Sequence, residues 1–259
     1  MIHSGRGDRW CYRPRPDPRA RCRLLCFAYA GGGASVFRGW ERGLPSEVEL
    51  VAIQLPGREN RLREPPFERM GDLLPALAEA VAPELDRPFF LFGHSMGALI
   101  AYELTRWLGV RGRSQPEKLF VSGHRAPYLP NPNPDIHHLP DQELARELRR
   151  YNGTPEAVLR NPELMQLLLP VIRADFALLE NHRHVPGEPL AVPVSAFGGT
   201  EDLLVSRAHL GAWAEVAASG FRLRMLPGDH FFLQSQRVEV LRALAQDIGE
   251  ALSAPEVGK

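Results

Sequence analysis

Apolar residues along this chain follow two alternating rhythms. Short, nearly unbroken apolar runs stand at residues 23–28, 49–55, 89–92, 118–122 and 192–197, with a sixth strand candidate at 221–226. Between them, apolar positions recur at helical spacing. Leu73, Leu74, Leu77, Val81 and Leu85 mark one helix over 71–85. Leu99, Ile100, Leu104, Trp107 and Leu108 mark another over 97–110, and a last helix covers 237–252. An apolar run without polar alternation is buried on both faces. Such runs alternating with amphipathic helices predict a mostly parallel sheet flanked by helices. No internal repeat is present.

One interval breaks the rhythm. The chain between the run ending near Ser122 and the run starting near Val192 is far longer than one crossover needs. It opens with Pro127-Tyr128-Leu129-Pro130-Asn131-Pro132-Asn133-Pro134, which can be neither a regular helix nor an inner strand. A helical stretch follows at 141–151. A second begins at Asn161-Pro162-Glu163, an N-cap, an N1 proline and a first-turn acid. Its broad apolar face carries Leu164, Leu167, Leu168, Val171, Ile172, Phe176 and Leu179, and Pro170 should bend it. Residues 128–184 are therefore expected to form a helical lid insertion. The core is then 23–127 plus 185–254, and residues 1–22, rich in Arg and Pro, are a flexible basic tail.

Charge and cysteine content narrow the function. Lys plus Arg and Asp plus Glu both number 31, so no net field draws nucleic acid to the chain. The N-terminus has no apolar signal core, and no stretch reaches the roughly 18 apolar residues of a membrane span. A cytoplasmic protein without a membrane partner is expected. Cys11, Cys22 and Cys26 are odd in number and lack a metal-ligand spacing, so neither a disulfide framework nor a metal site is expected. Cys26, inside an apolar run, reads as a small core residue.

The chemistry sits between the third run and its helix. Gly93-His94-Ser95-Met96-Gly97 is a G-x-S-x-G motif that follows a strand and opens a helix. That context places Ser95 on a sharp turn with its hydroxyl exposed, and it predicts a serine hydrolase of the α/β-hydrolase fold. A serine hydroxyl needs a base, and in this fold acid and histidine follow the serine in chain order. Of nine histidines only His230 follows the last strand. His94 adjoins the serine, and its ring should point away from the hydroxyl. The acid should follow the preceding strand, where Glu201 and Asp202 are both candidates. Residues 118–127 offer no carboxylate. The oxyanion requires two N–H donors. One comes from Met96, and the other from the glycine-rich loop Phe27-Ala28-Tyr29-Ala30-Gly31-Gly32-Gly33. A phosphate loop is not supported there, since neither G-x-G-x-x-G nor a following Lys-Ser/Thr is present.

Five segments together resemble the type II thioesterases that accompany polyketide synthases and nonribosomal peptide synthetases. They are Phe27 to Gly33, Gln54-Leu55-Pro56-Gly57-Arg58-Glu59-Asn60-Arg61, Gly93 to Ala98, Ser122 to Pro127, and Gly228-Asp229-His230-Phe231-Phe232-Leu233. The Gln-Leu-Pro-Gly-Arg segment is the most specific. The resemblance spans about residues 23–252. Two departures are visible: Asp229 stands where glycine is frequent, and His124 where arginine is frequent.

The resemblance implies Asp202 as the acid, with Ala30 and Met96 as the oxyanion donors. It implies hydrolysis of aberrant or stalled acyl groups from the phosphopantetheine arm of acyl or peptidyl carrier proteins, with no metal or other cofactor, by a monomer. Leu164, Leu168, Ile172 and Phe176 are then expected to line the acyl chamber under the lid. Arg58, Arg61 and Arg63 are candidates for docking an acidic carrier, with a structural ion pair as the alternative for Arg58. An esterase or lipase acting on oxyesters is the competing enzyme reading. A hydrolase-fold binding protein without turnover is the competing class, and a serine-reactive phosphonate would leave it unlabelled.

Overall fold

The computed structural model describes residues 9–151 and 160–253. Among them, seven strands form one sheet: β1 (Cys11–Tyr12), β2 (Cys22–Phe27), β3 (Val48–Ile53), β4 (Phe89–His94), β5 (Lys118–Ser122), β6 (Val194–Gly199) and β7 (Phe221–Leu226). Their spatial order is β1-β3-β2-β4-β5-β6-β7. β1 runs antiparallel to β3, and every other pairing is parallel. The helices are α1 (Met70–Val81), α2 (Met96–Val110), α3 (Asp141–Tyr151), α4 (Pro162–Glu180), α5 (Arg207–Gly211), α6 (Phe232–Ser235) and α7 (Arg237–Ser253). This is the α/β-hydrolase fold that the pattern predicts.

The two-residue period of a strand explains why the apolar runs are continuous. Leu25, Phe27, Val51, Ile53 and Leu91 share one core with Leu73 and Leu77 of α1 and Leu99 and Ile100 of α2. Their neighbours Leu24, Cys26, Leu50, Phe90 and Phe92 share the other with Val240, Leu241, Leu244 and Ile248 of α7. Each fully buried Leu or Phe contributes on the order of 2 kcal/mol. Cys26 is fully buried, and burial pushes its thiol pKa well up.

Residues 9–22 differ from the expected free tail. Cys11 pairs with Ile53 and Tyr12 with Ala52, which makes this segment the edge strand. The Trp10 carbonyl accepts from the Gln54 N–H at 2.7 Å. Arg13 is ion-paired with the buried Glu84. Main-chain pairing places the segment on the sheet, which an Arg- and Pro-rich composition does not advertise.

The insertion has a core of its own, built from Ile136, Leu144, Leu148, Met165, Leu169, Val171, Ile172 and Phe176. It is not a separate body, however. Leu178 belongs to the main core and Leu179 packs against it, so α4 ends inside the domain and not at its surface. Asn161 caps α4 as expected, accepting from the N–H groups of Glu163 and Leu164 at 3.1 and 3.2 Å. No helix among the described residues is long and apolar enough to cross a membrane.

Candidate active site

Successive strands leave β2 in opposite directions, β3 on one side and β4 on the other. The crevice above their carboxyl ends is where this class of sheet places ligands. Ser95 lies there, between β4 and α2. Its backbone is held at φ 54°, ψ −117°, a conformation that costs a non-glycine residue about 1–3 kcal/mol. The strain persists because the turn is fixed from several sides. The Ser95 N–H donates to the Ser122 carbonyl at 2.7 Å. Gly97 passes so close to β2 that a Cβ there would run into the Phe27 carbonyl. Met96 opens α2, so its N–H has no carbonyl one turn earlier to bond.

His230 stands in the turn between β7 and α6. Its Nδ1 donates to Oδ2 of Asp202 at 2.8 Å, and the Asp202 carboxylate is fully buried. The other oxygen, Oδ1, accepts from the N–H groups of Leu204 and Val205 at 2.8 and 3.1 Å. That carboxylate is thereby oriented by its own loop. Nδ1 is thereby engaged by the carboxylate, and Ser95 and His230 line the same cavity. Glu201 is exposed, so Asp202 is the carboxylate that meets the histidine.

The two loops approach through Gly199, where a Cβ would overlap the carbonyls of Gly228 and Asp229. Glu201 N–H then donates to the Gly228 carbonyl at 2.9 Å. The two glycines after residue 197 extend β6 to Gly199, pairing with Met225 and Leu226. The sequence pattern had ended this strand before them.

His94 lies beneath this arrangement, fully buried, with its ring centroid 5.1 Å from that of His230. Its Nδ1 bonds the Ser122 hydroxyl at 2.9 Å. Burial, and then the neighbouring imidazole of His230, hold its pKa well below the ordinary value. Tyr29 packs edge-on against both His94 and Phe231. This aromatic bed fixes the plane of the His230 ring.

Ser95 and His230 open into a cavity of about 370 Å³ that Ala30 and Gly31 also line. The insertion supplies part of its apolar wall through Leu148, Leu168, Ile172 and Phe176, and core loops supply the rest through Val36, Leu62, Val205 and Phe231. Of the four residues expected in this wall, Leu164 is the exception. It is 40% exposed, because it lies one turn too early on α4 to face inward.

The chain as a whole is similar to known proteins. A family model described as thioesterase domain matches residues 22–248. The gramicidin S biosynthesis protein GrsT of Aneurinibacillus migulanus is 41% identical over 99% of this chain and 100% of its own. A protein of Brevibacillus parabrevis named linear gramicidin dehydrogenase LgrE is 42% identical over 90% of each chain. Among solved structures, the type II thioesterase BorB from the borrelidin biosynthetic cluster superposes with a TM-score of 0.84 and 35% identity, covering 92% of this chain and 97% of that one. The chain belongs to the thioesterase family.

Two of the expected docking arginines of this thioesterase are not at its surface. Arg58 and Arg61 are 4% and 5% exposed. Arg58 is paired with Asp175 of α4. Arg61 is paired with Glu64 at 2.5 Å, donates to the Gln54 carbonyl at 2.9 Å, and lies 4.2 Å over the Trp10 ring. Positive charge alone does not tell a buried arginine from a free one; the partners do. Arg63 is exposed as expected. Two polar cavity residues, Arg125 and Glu180, had not been anticipated. Glu180 is buried and accepts from the N–H groups of Ile136 and His137, so it ties the proline-rich entry to the end of α4.

His124 lines the same cavity. Its Nδ1 donates to the Arg125 carbonyl at 2.6 Å. Burial, aided by the Arg125 guanidinium, lowers its pKa to about 3. Unfolding returns the ring to about 6.5. The unfolded chain therefore binds a proton that the folded chain refuses between those values. This contribution to stability is complete above about pH 6.5 and is lost as pH falls toward 3. Between pH 7 and pH 5 it amounts to about 2 kcal/mol. Urea midpoints at the two pH values should show a smaller acid loss in His124→Asn than in the wild type. Parallel losses would mean that His124 takes up its proton in the fold as readily as in the unfolded chain.

Proposed function

We propose that this thioesterase removes acyl groups, including aberrant or stalled ones, from the phosphopantetheine arm of acyl or peptidyl carrier proteins. The observation that carries the mechanism is the His230–Asp202 contact beside a strained serine in one cavity. Ser95 attacks the thioester carbonyl as His230 Nε2 takes its proton, and Asp202 stabilises the resulting imidazolium. The oxyanion faces the N–H groups of Ala30 and Met96. The C–S bond breaks, and His230 returns the proton to the leaving thiol. Water then cleaves the acyl-serine with His230 again as base. The apolar wall of Leu168, Ile172 and Phe176 takes the acyl chain, and the insertion acts as a lid over it. In this reading the substrate brings the phosphopantetheine, the enzyme adds no cofactor, and it works as a monomer in the cytoplasm.

The dehydrogenase in the name of one relative does not extend easily to this chain. A dinucleotide site takes pyrophosphate at a helix N-terminus after a glycine-rich turn. Here Gly31-Gly32-Gly33 leads into a single 3-10 turn, Ala34–Phe37. The Glu59 carboxylate accepts from Ser35 beside it, so an anion would meet negative charge.

Hydrolysis of matched acyl-carrier proteins, small thioesters and oxyesters tests the reading. The carrier-bound substrates should show the highest kcat/KM, and preference for oxyesters would make the protein an esterase. Arg63, the remaining surface candidate, is proposed to meet the acidic carrier. Arg63→Glu should lower kcat/KM for an acyl-carrier protein several-fold, more at low salt, and leave a small thioester unchanged. Equal loss on both substrates would remove Arg63 from the docking surface.

A further inference from the structure

The Arg58–Asp175 pair bonds directly to the glycine-rich loop. Asp175 is 1% exposed, on the inner face of α4 between Ile172 and Phe176. Its Oδ1 accepts from Arg58 Nη2 at 2.7 Å, and its Oδ2 from Arg58 Nη1 at 2.8 Å. Oδ2 also accepts the Gly31 N–H at 2.7 Å. Arg58 Nη1 donates in addition to the Gly32 carbonyl at 3.0 Å. Gln54 completes the grip. Its side chain accepts from the Ala34 N–H at 2.6 Å and donates to the Arg58 carbonyl at 3.0 Å.

Three contacts within four residues therefore fix the loop from outside: an N–H at Gly31, a carbonyl at Gly32 and an N–H at Ala34. Gly31 has φ +77°, and a Cβ at its position would stand 3.1 Å from Ile172 Cγ1. Hydrogen bonding holds the loop against α4, and the absence of a Cβ at Gly31 lets it come that close. Asp175 occupies the Gly31 N–H, so that group is not available to a substrate oxygen. Among the described residues nothing engages the neighbouring Ala30 N–H. A buried ion pair adds little net stability, because desolvation offsets its attraction. The clamp is better explained by the geometry it imposes.

We propose that Asp175, through Arg58, is a positioning residue that holds the loop so that the Ala30 N–H faces the tetrahedral oxyanion on Ser95. This rests on the serine mechanism above. It assigns part of the oxyanion apparatus to the insertion and not to the hydrolase core.

The test compares Asp175→Asn with wild type on a small thioester, and measures the affinity of each for an alkyl boronic acid, which forms a tetrahedral anionic adduct on serine. Asp175→Asn keeps the shape and one acceptor but leaves Arg58 without its counter-charge. Loss of one oxyanion donor costs about 10²–10³ in kcat, and partial misplacement should cost 10- to 100-fold. KM should change less than about threefold, boronate affinity should fall by the same factor as kcat, and the pH midpoint of kcat/KM should not move. A kcat within twofold of wild type, a loss confined to KM, or a kcat loss with unchanged boronate affinity would each overturn the assignment. Should Asp175→Asn fail to fold, Arg58→Lys retains the charge and the Asp175–Gly31 bond, and a smaller, parallel fall in kcat and boronate affinity is expected from it. Absence of that parallel fall would equally overturn the role. If wild type itself failed to cleave thioesters, the functional reading would fall, while the boronate comparison would still decide Asp175.

Discussion

Replacing Ser95 by alanine should lower thioester hydrolysis at least about a thousandfold while leaving the fold intact, and His230→Ala should do the same. In the proposed mechanism both belong to a unit in which removal of one member disables the rest. Alanine at position 95 meets the same backbone strain as serine, so the Ser95→Ala melting temperature should stay close to wild type. His230→Ala leaves Asp202 without its imidazole, but the N–H groups of Leu204 and Val205 still satisfy one oxygen. Some loss of stability is expected, without unfolding. Steady-state kinetics alongside thermal melts check both variants. Near-wild-type kcat/KM in either folded variant would remove that residue from the reaction.

The second large effect is expected at the acid. Asp202→Asn should lower kcat on the order of a thousandfold or more, because an amide can present its NH₂ group to Nδ1 and turn the imidazole to the wrong tautomer. Glu201→Gln, one residue away and exposed, should stay within about twofold. The comparison is informative because both carboxylates sit on the same loop. A greater loss from the Glu201 change would show that the histidine takes its partner from a rearranged loop.

Most of the scaffold is legible in the sequence because parallel strands buried on both faces carry apolar residues without interruption. Residues 89–92 and, between the polar ends Lys118 and Ser122, residues 119–121 are runs of this kind, and they match the first part of β4 and the middle of β5. The chemistry is legible where motif and position agree, as at Ser95 and His230, which the fold brings to one cavity. What escaped the sequence has one physical cause: it depends on partners distant along the chain or on main-chain pairing. β1 is held by backbone pairing at Cys11 and Tyr12, and α5 and α6 are too short to show a period. Arg58 and Asp175 are 117 residues apart. A signal was nonetheless present at Asp175, a lone carboxylate in the apolar stretch from Val171 to Leu179. Arg61 illustrates the converse, a charge that looks available until Glu64 and Trp10 are placed around it.

The division of α4 at Pro170 sets the freedom with which substrate range can be re-engineered. Proline has no N–H to offer the Gln166 carbonyl, so the helix lacks a rung between its two halves. The half before it is largely exposed at Leu164, Gln166 and Leu167, whereas nearly every position from Val171 to Glu180 is buried. Leu168, on the first half, and Ile172, on the second, both line the cavity. If that cavity takes the acyl chain as proposed, enlarging it at Leu168 should change which chain fits. Ile172 also stands where a Cβ on Gly31 would reach it, three residues before the carboxylate that holds the loop, so the same enlargement there is expected to trade reaction rate for room.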